Sequence, residues 1–224
     1  TRLVLVNALY FLADWRDPFA NDKTSAAPFF ISRSRRKDVP TMHRTGTFLF
    51  AQKGRLKALE MPYEGDGTSM LVVLPEDIEG LGAFEASLRP ERLEDLLRAL
   101  ALQRVAVSLP KFQINPATPL SLQDLLGAMG MGIAFDPQTA DLSGIANPPD
   151  PVDRLCIGGV FHKAFVKVDE KGTEAAAATA AMVVSAGLEP PMKTAEFKAD
   201  HPFLFFLRDR VSGLILFMGR VAEP

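Results

Sequence analysis

Residues 170–186 read Glu-Lys-Gly-Thr-Glu-Ala-Ala-Ala-Ala-Thr-Ala-Ala-Met-Val-Val-Ser-Ala. From Gly172 to Ala181 the only large side chain is that of Glu174. The segment lacks the apolar periodicity of a packed element, so it reads as a long loop. A loop of such small side chains offers a partner little to grip, and it makes sense where the loop has later to fit somewhere narrow. The competing reading is a surface helix, because alanine is the best helix former. Thr173, Thr179 and the Met182-Val-Val run fit a convertible strand better.

The residues just upstream alternate sharply. Val160, His162, Ala164, Val166 and Val168 face one way, and Phe161, Lys163, Phe165, Lys167 and Asp169 the other. His162 thus belongs to the mostly apolar side, which is expected to be buried, and its plain reading is a hydrogen-bonded core histidine. With only His43 and His201 besides it, and no HExxH spacing, no metal site is expected. Counting does not exclude Ser-His-Asp chemistry, but no Gly-x-Ser-x-Gly elbow supports it; an enzyme using a serine and His162 is the third and least favoured class, and no enzymatic chemistry and no cofactor are expected.

Composition frames these motifs. The 224 residues are 47% hydrophobic and 23% charged, enough for a sizeable core. A net charge of -2 leaves no footprint for nucleic acid or an anionic membrane surface. No apolar run approaches the ~20 residues that span a bilayer. Cys156, the single cysteine, excludes an intrachain disulfide and reads as a small buried hydrophobe.

The chain opens Thr-Arg-Leu-Val-Leu-Val-Asn-Ala-Leu-Tyr-Phe-Leu, which suits a strand buried on both faces in the middle of a sheet. The expectation is a single incomplete α+β domain over residues 1–224, its N-terminal portion missing. Leu56–Pro62 and Ser69–Leu74 flank Glu64-Gly-Asp-Gly67, a hairpin signature. Two helical patterns follow, the second starting at Pro90 with Leu93, Leu96, Leu97 and Leu100 on one face. Arg104–Pro110 alternates as a strand. Thr118-Pro119 predicts a helix start carrying Leu120, Leu122, Leu125 and Leu126, and Asn147–Pro151 is a loop.

Several short motifs, in order, carry a family resemblance. They are Leu5-Val-Asn-Ala-Leu-Tyr-Phe11 with Trp15, Val39-Pro-Thr-Met42, Met61-Pro-Tyr63, Leu109-Pro-Lys111 and Asp141-Leu-Ser-Gly144. The hinge Glu170-Lys-Gly-Thr-Glu-Ala-Ala-Ala follows, then Phe197-Lys-Ala-Asp-His-Pro-Phe-Leu-Phe-Phe-Leu207 and Leu216-Phe-Met-Gly-Arg-Val-Ala-Glu-Pro224. From end to end the chain resembles the C-terminal portion of a serpin. The resemblance implies a multi-sheet fold with a large central sheet, further sheets and helices, and a reactive-centre loop at about residues 171–196.

It also implies a suicide-substrate inhibitor of serine proteases. A protease attacks the loop and becomes esterified to it, and the cleaved loop inserts into the large sheet before the ester is hydrolysed. Such a fold is metastable and kinetically protected. In the inserted strand alternate side chains face the core, here Thr173, Ala175, Ala177, Thr179 and Ala181, all alanine or threonine. The resemblance marks Glu170, Gly172, Thr173, Glu174, Ala175, Ala176, Ala177, Ala178 and Thr179 as the hinge. In many inhibitory serpins the scissile carbonyl belongs to the seventeenth residue counted from the hinge glutamate, here Ala186, so the resemblance implies a bait bond at Ala186–Gly187. The Ser185–Ala186 and Gly187–Leu188 bonds stay open as alternatives.

A small residue there implies an elastase-like or subtilisin-like protease with a small apolar primary pocket, held as a covalent acyl complex by a monomeric inhibitor. Asn7 and His162 match the family's central gate, and Trp15, Lys111 and Glu170 the point of insertion at the top of the sheet. The alternative is a non-inhibitory serpin acting as carrier, chaperone or storage protein. The compartment is left open, with an extracellular one favoured.

Overall fold

A computed structural model describes residues 2–150, 153–173 and 194–224. Among them fourteen strands run in chain order. They are β1 (Arg2–Tyr10), β2 (Ala13–Asp14), β3 (Thr24–Phe30), β4 (Arg36–Lys53), β5 (Leu56–Pro62), β6 (Thr68–Pro75) and β7 (Ala101–Pro110). Then come β8 (Phe112–Ile114), β9 (Leu120–Ser121), β10 (Cys156–Val168), β11 (Gly172–Thr173), β12 (Ala195–Lys198), β13 (Phe203–Asp209) and β14 (Ile215–Val221). The helices are α1 (Leu81–Ala86), α2 (Pro90–Arg98), α3 (Gln123–Leu126) and α4 (Gly132–Phe135). The chain divides into two compact units, residues 1–11 with 114–166 and residues 12–113 with 167–224.

In the first unit β1 runs parallel to β10, with Asn7 opposite His162 and Tyr10 opposite Phe165. The Tyr10 and Phe165 rings stack at 5.7 Å. β9 pairs antiparallel with β10 through Ser121 and Leu120. The apolar run of β1 is a strand as expected, but it is not buried: Val4, Leu5, Val6, Leu9 and Tyr10 are all exposed. β1 ends its strand order with β10 as its neighbour, so its other edge and both faces lack cover within this unit. The helix expected from Thr118 starts later, at Gln123, because Leu120 and Ser121 are drawn into the ladder beside Phe161 and His162. Of the alternating side of β10, Val160 and Val166 are buried, while His162 and Ala164 are half-buried.

The second unit is built on an eight-stranded sheet in the order β12-β7-β4-β5-β6-β13-β14, with β3 on β4. β4 is 18 residues long and serves several partners in turn, β3 near its start and β5 near its end, with β7 along most of its length. β6 and β13 form the middle of the core. Met70, Leu71, Val72 and Val73 on one, and Phe203, Phe205, Phe206 and Leu207 on the other, are essentially inaccessible. Such near-continuous apolar runs suit strands covered on both faces. α1 and α2 cover one of these faces: Leu81, Phe84 and Leu96 pack with Leu71, Val73, Leu204 and Phe206. Pro90 does open α2, where its missing N–H costs nothing. The hairpin of β5 and β6 forms as its sequence predicts, with Gly65 and Asp66 in the left-handed region at φ 78° and 55°.

One charge lies inside this sheet. Glu60, 3% exposed, accepts hydrogen bonds from Ser69 Oγ at 2.6 Å and Arg208 Nη1 at 2.9 Å. The three residues sit on adjacent strands, β5, β6 and β13, so the ladder register itself brings donor and acceptor together.

Candidate functional site

In the second unit the end of β10 turns back on itself. Asp169, Glu170 and Lys171 make the turn, closed by Asp169 N–H donating to the Gly172 carbonyl at 3.0 Å. β11 then runs antiparallel to β10, with Thr173 opposite Val168. On its other edge β11 pairs antiparallel with β2, Gly172 opposite Asp14 and Thr173 opposite Ala13. Gly172 is required for this approach: a Cβ there would stand 2.1 Å from the Ala13 carbonyl oxygen and 2.7 Å from Asp14 Cα. Both obstacles are backbone, so neither can swing away.

Glu170 sits in the turn, 8% exposed. Its carboxylate accepts from Lys111 Nζ at 2.8 Å and from Thr24 Oγ1 at 2.8 Å, while its carbonyl accepts from Phe19 N–H. Burial pushes this carboxyl up, but the hydrogen bonds from Lys111 and Thr24 and the charge of Lys111 outweigh burial and hold it below the ordinary value. Lys111 follows β7 and Thr24 opens β3, so three distant pieces of chain converge on one carboxylate.

Trp15 lies beside this turn, 2% exposed. Its indole N–H donates to the Asp169 carbonyl at 3.0 Å and its backbone N–H to the Lys171 carbonyl at 2.6 Å. Its ring stacks on Tyr63 at 4.5 Å and 9°. Tyr63 is fully buried, and its hydroxyl lies 2.6 Å from Thr173 Oγ1, itself fully buried. Burial pushes the Tyr63 phenol up, so the hydroxyl stays protonated. Trp15, Lys111, Glu170, Gly172 and Thr173 are thus brought together. Tyr63 and Thr24 also belong to this cluster without having been expected there. Tyr63 was visible only as the last residue of the Met61-Pro-Tyr63 motif, and nothing in the sequence marks Thr24.

The first unit holds the other expected pair. His162 Nδ1 lies 3.0 Å from Asn7 Oδ1, across the parallel ladder of β1 and β10. The remaining expected residues, Glu174, Ala175, Ala176, Ala177, Ala178 and Thr179 of the hinge and the Ala186–Gly187 bond, lie outside the described residues. Among the described residues no group of three or more His, Cys, Asp or Glu could hold a metal ion.

Gly172 and Thr173 thus lie between β10 and β2, and a long run of alanines follows them in the sequence. The family model Serpin (serine protease inhibitor) matches residues 1–224, and the chain belongs to the serpin family. It is 40% identical over its whole length to human leukocyte elastase inhibitor, of which it spans 59%. It is 42% identical to an uncharacterised serpin-like protein of Thermococcus kodakarensis, spanning 50% of it. The fold is similar to the crystal structure of the thermophilic serpin tengpin in its native state, with a TM-score of 0.86 and 27% identity over 99% of this chain and 55% of that one. The chain therefore spans between half and three fifths of the length of these relatives.

Proposed function

We propose that the protein inhibits serine proteases as a suicide substrate, with the loop of residues 174–193 as bait and moving strand. The observation that carries this is the placement of Thr173. It is the first of the alternating small residues, and it already lies fully buried as a strand residue between β10 and β2. A slot of that kind favours the residues that follow at alternate positions, Ala175, Ala177, Thr179 and Ala181, because none adds bulk or charge to a packed interior.

The chemistry is acyl transfer. The protease serine Oγ attacks the Ala186 carbonyl carbon, the bond to the Gly187 nitrogen breaks, and the Gly187 amine leaves with a proton. An ester then joins Ala186 to the protease. Insertion of the loop adds a row of main-chain hydrogen bonds and deforms the attached protease before water reaches the ester. A small residue at Ala186 suits a shallow apolar primary pocket, and similarity to a leukocyte elastase inhibitor supports an elastase-like target. Asn7 with His162 would gate strand separation, and Trp15, Lys111 and Glu170 would govern the start of insertion.

Incubation with elastase or subtilisin followed by denaturing electrophoresis tests this. A covalent complex is expected. Cleaved product alone across several serine proteases would refute inhibition and indicate a carrier or storage role. Thr173→Arg is expected to convert the protein from inhibitor to substrate, since a guanidinium cannot occupy a fully buried site beside Tyr63.

A further inference from the structure

The hinge is seated before any cleavage. Gly172 and Thr173 pair on both edges, with β10 and with β2. Packing alone would be satisfied by a valine at residue 173. The hydroxyl is instead used, 2.6 Å from the Tyr63 hydroxyl, with both residues closed to bulk solvent. A buried hydroxyl left without a partner is costly, so each of these two holds the other in place.

Tyr63 is in turn fixed from behind. Its ring stacks on Trp15, and its backbone N–H donates to the Thr68 carbonyl at 3.0 Å. The turn it begins is sewn to the segment that receives the hinge. Glu64 N–H donates to the Asp14 carbonyl at 2.9 Å, Arg16 N–H to the Pro62 carbonyl at 3.0 Å, and Arg16 Nη1 to Asp66 Oδ1 at 2.9 Å. The phenol hydroxyl therefore stands at a set height over the hinge, supported by strands β2, β5 and β6.

We propose that Tyr63 is a positioning residue for loop insertion: its hydroxyl latches Thr173 so that the first step of insertion is already taken in the uncleaved protein. This rests on the proposed inhibitory function. The reasoning is kinetic. Adding a strand to a sheet must order its first residues before the following ones are rewarded. A hinge already seated removes that delay, which matters when insertion races hydrolysis of the ester. Releasing the latch leaves the bait chemistry intact and slows insertion.

Tyr63→Phe keeps the ring on Trp15 and removes the hydroxyl; Thr173→Val keeps the shape and removes its partner. Two readouts apply to the purified protein. Amide exchange at Gly172 and Thr173 reports seating before cleavage, and the change in fluorescence of Trp15, the only tryptophan in the chain, reports insertion after a protease cuts the loop. Each variant is expected to exchange about five-fold faster at Thr173 and to insert about five-fold more slowly, the factor matching a net hydrogen bond of about 1 kcal/mol. The double variant should do no more than either single one, because both remove the same bond. Unchanged exchange and insertion in both variants, or effects that simply add, would overturn the latch. Coupled changes in a protein that forms no covalent complex would leave the latch standing and overturn the inhibitory reading alone.

Discussion

Gly172→Ala tests the seating of the hinge most directly. The new methyl carbon would lie 2.1 Å from the Ala13 carbonyl oxygen, 2.7 Å from Asp14 Cα and 2.9 Å from the Trp15 nitrogen. All three are backbone atoms of the segment that β11 pairs with, so the clash cannot be relieved by a side-chain rotation. β11 must leave β2, and the cost is bounded by what leaving forfeits. That comprises the Trp15 N–H to Lys171 carbonyl bond, the Thr173 to Tyr63 bond and the ladder opposite Asp14. At about 1 kcal/mol net for each of two or three bonds, the loss is about 2–3 kcal/mol. Reduced freedom of the unfolded chain returns about 0.4–1 kcal/mol, leaving roughly 1–2.6 kcal/mol. Urea unfolding is expected to show a lower midpoint with an unchanged slope. Amide exchange at Thr173 should accelerate in the same variant. A variant as stable as the parent, with Thr173 still protected, would refute the claim that the hinge lies against β2.

Other perturbations reach different parts of the unit. Glu170 has its carboxyl held below the ordinary 4.5, so its contribution is complete above that value and is lost as pH falls through the lowered one. Because Lys111 is about one third exposed, the effect is small, no more than about 1 kcal/mol. The urea midpoints of the parent and Glu170→Gln should differ at pH 7 and draw together as pH falls below 4.5; a gap that does not narrow on acidification would mean the carboxylate charge is not the cause. Arg208→Met leaves Glu60, which is 3% exposed, with the hydrogen bond from Ser69 and the longer 3.6 Å ion pair to Arg210, and should cost about 2–3 kcal/mol in thermal or urea unfolding. Pairing it with Glu60→Met should recover most of that loss, and failure to do so would place the damage in packing rather than in the weakened pairing of the charge. Leu96→Ala removes a side chain 2% exposed between α2 and the sheet, so a loss of about 2–5 kcal/mol is expected from the same measurement.

The smallness of the segment after Glu170 could be read directly from residue order. That Thr173 and its alternate neighbours Ala175, Ala177, Thr179 and Ala181 face inward came from the family likeness, since small residues occupy both parities of the run. The hairpin of residues 56–75 and the start of α2 were equally legible, since turn glycines and Pro90 act within a few residues of themselves. The Lys111 and Glu170 contact spans 59 residues and came from family likeness rather than from any local signal. The run Leu120–Leu126 was misread in part because a short apolar stretch does not say whether a neighbouring strand will claim its first residues. The burial assigned to β1 failed for a related reason: composition shows that a strand is able to be covered, and coverage depends on which elements flank it.

The amino-acid sequence by itself determined the chemistry of the segment from Thr173 to Ala181, small and uncharged at alternate positions, and the strand and turn pattern around it. Those properties depend on side-chain size and on periods of a few residues. Only the tertiary structure decided that Tyr63 meets Thr173, that Thr24 joins Lys111 on Glu170, and that Gly172 has no room for a methyl group. Each of those contacts joins residues 59 to 160 or so positions apart, where chain order carries no distance information and the register of paired strands sets which atoms meet.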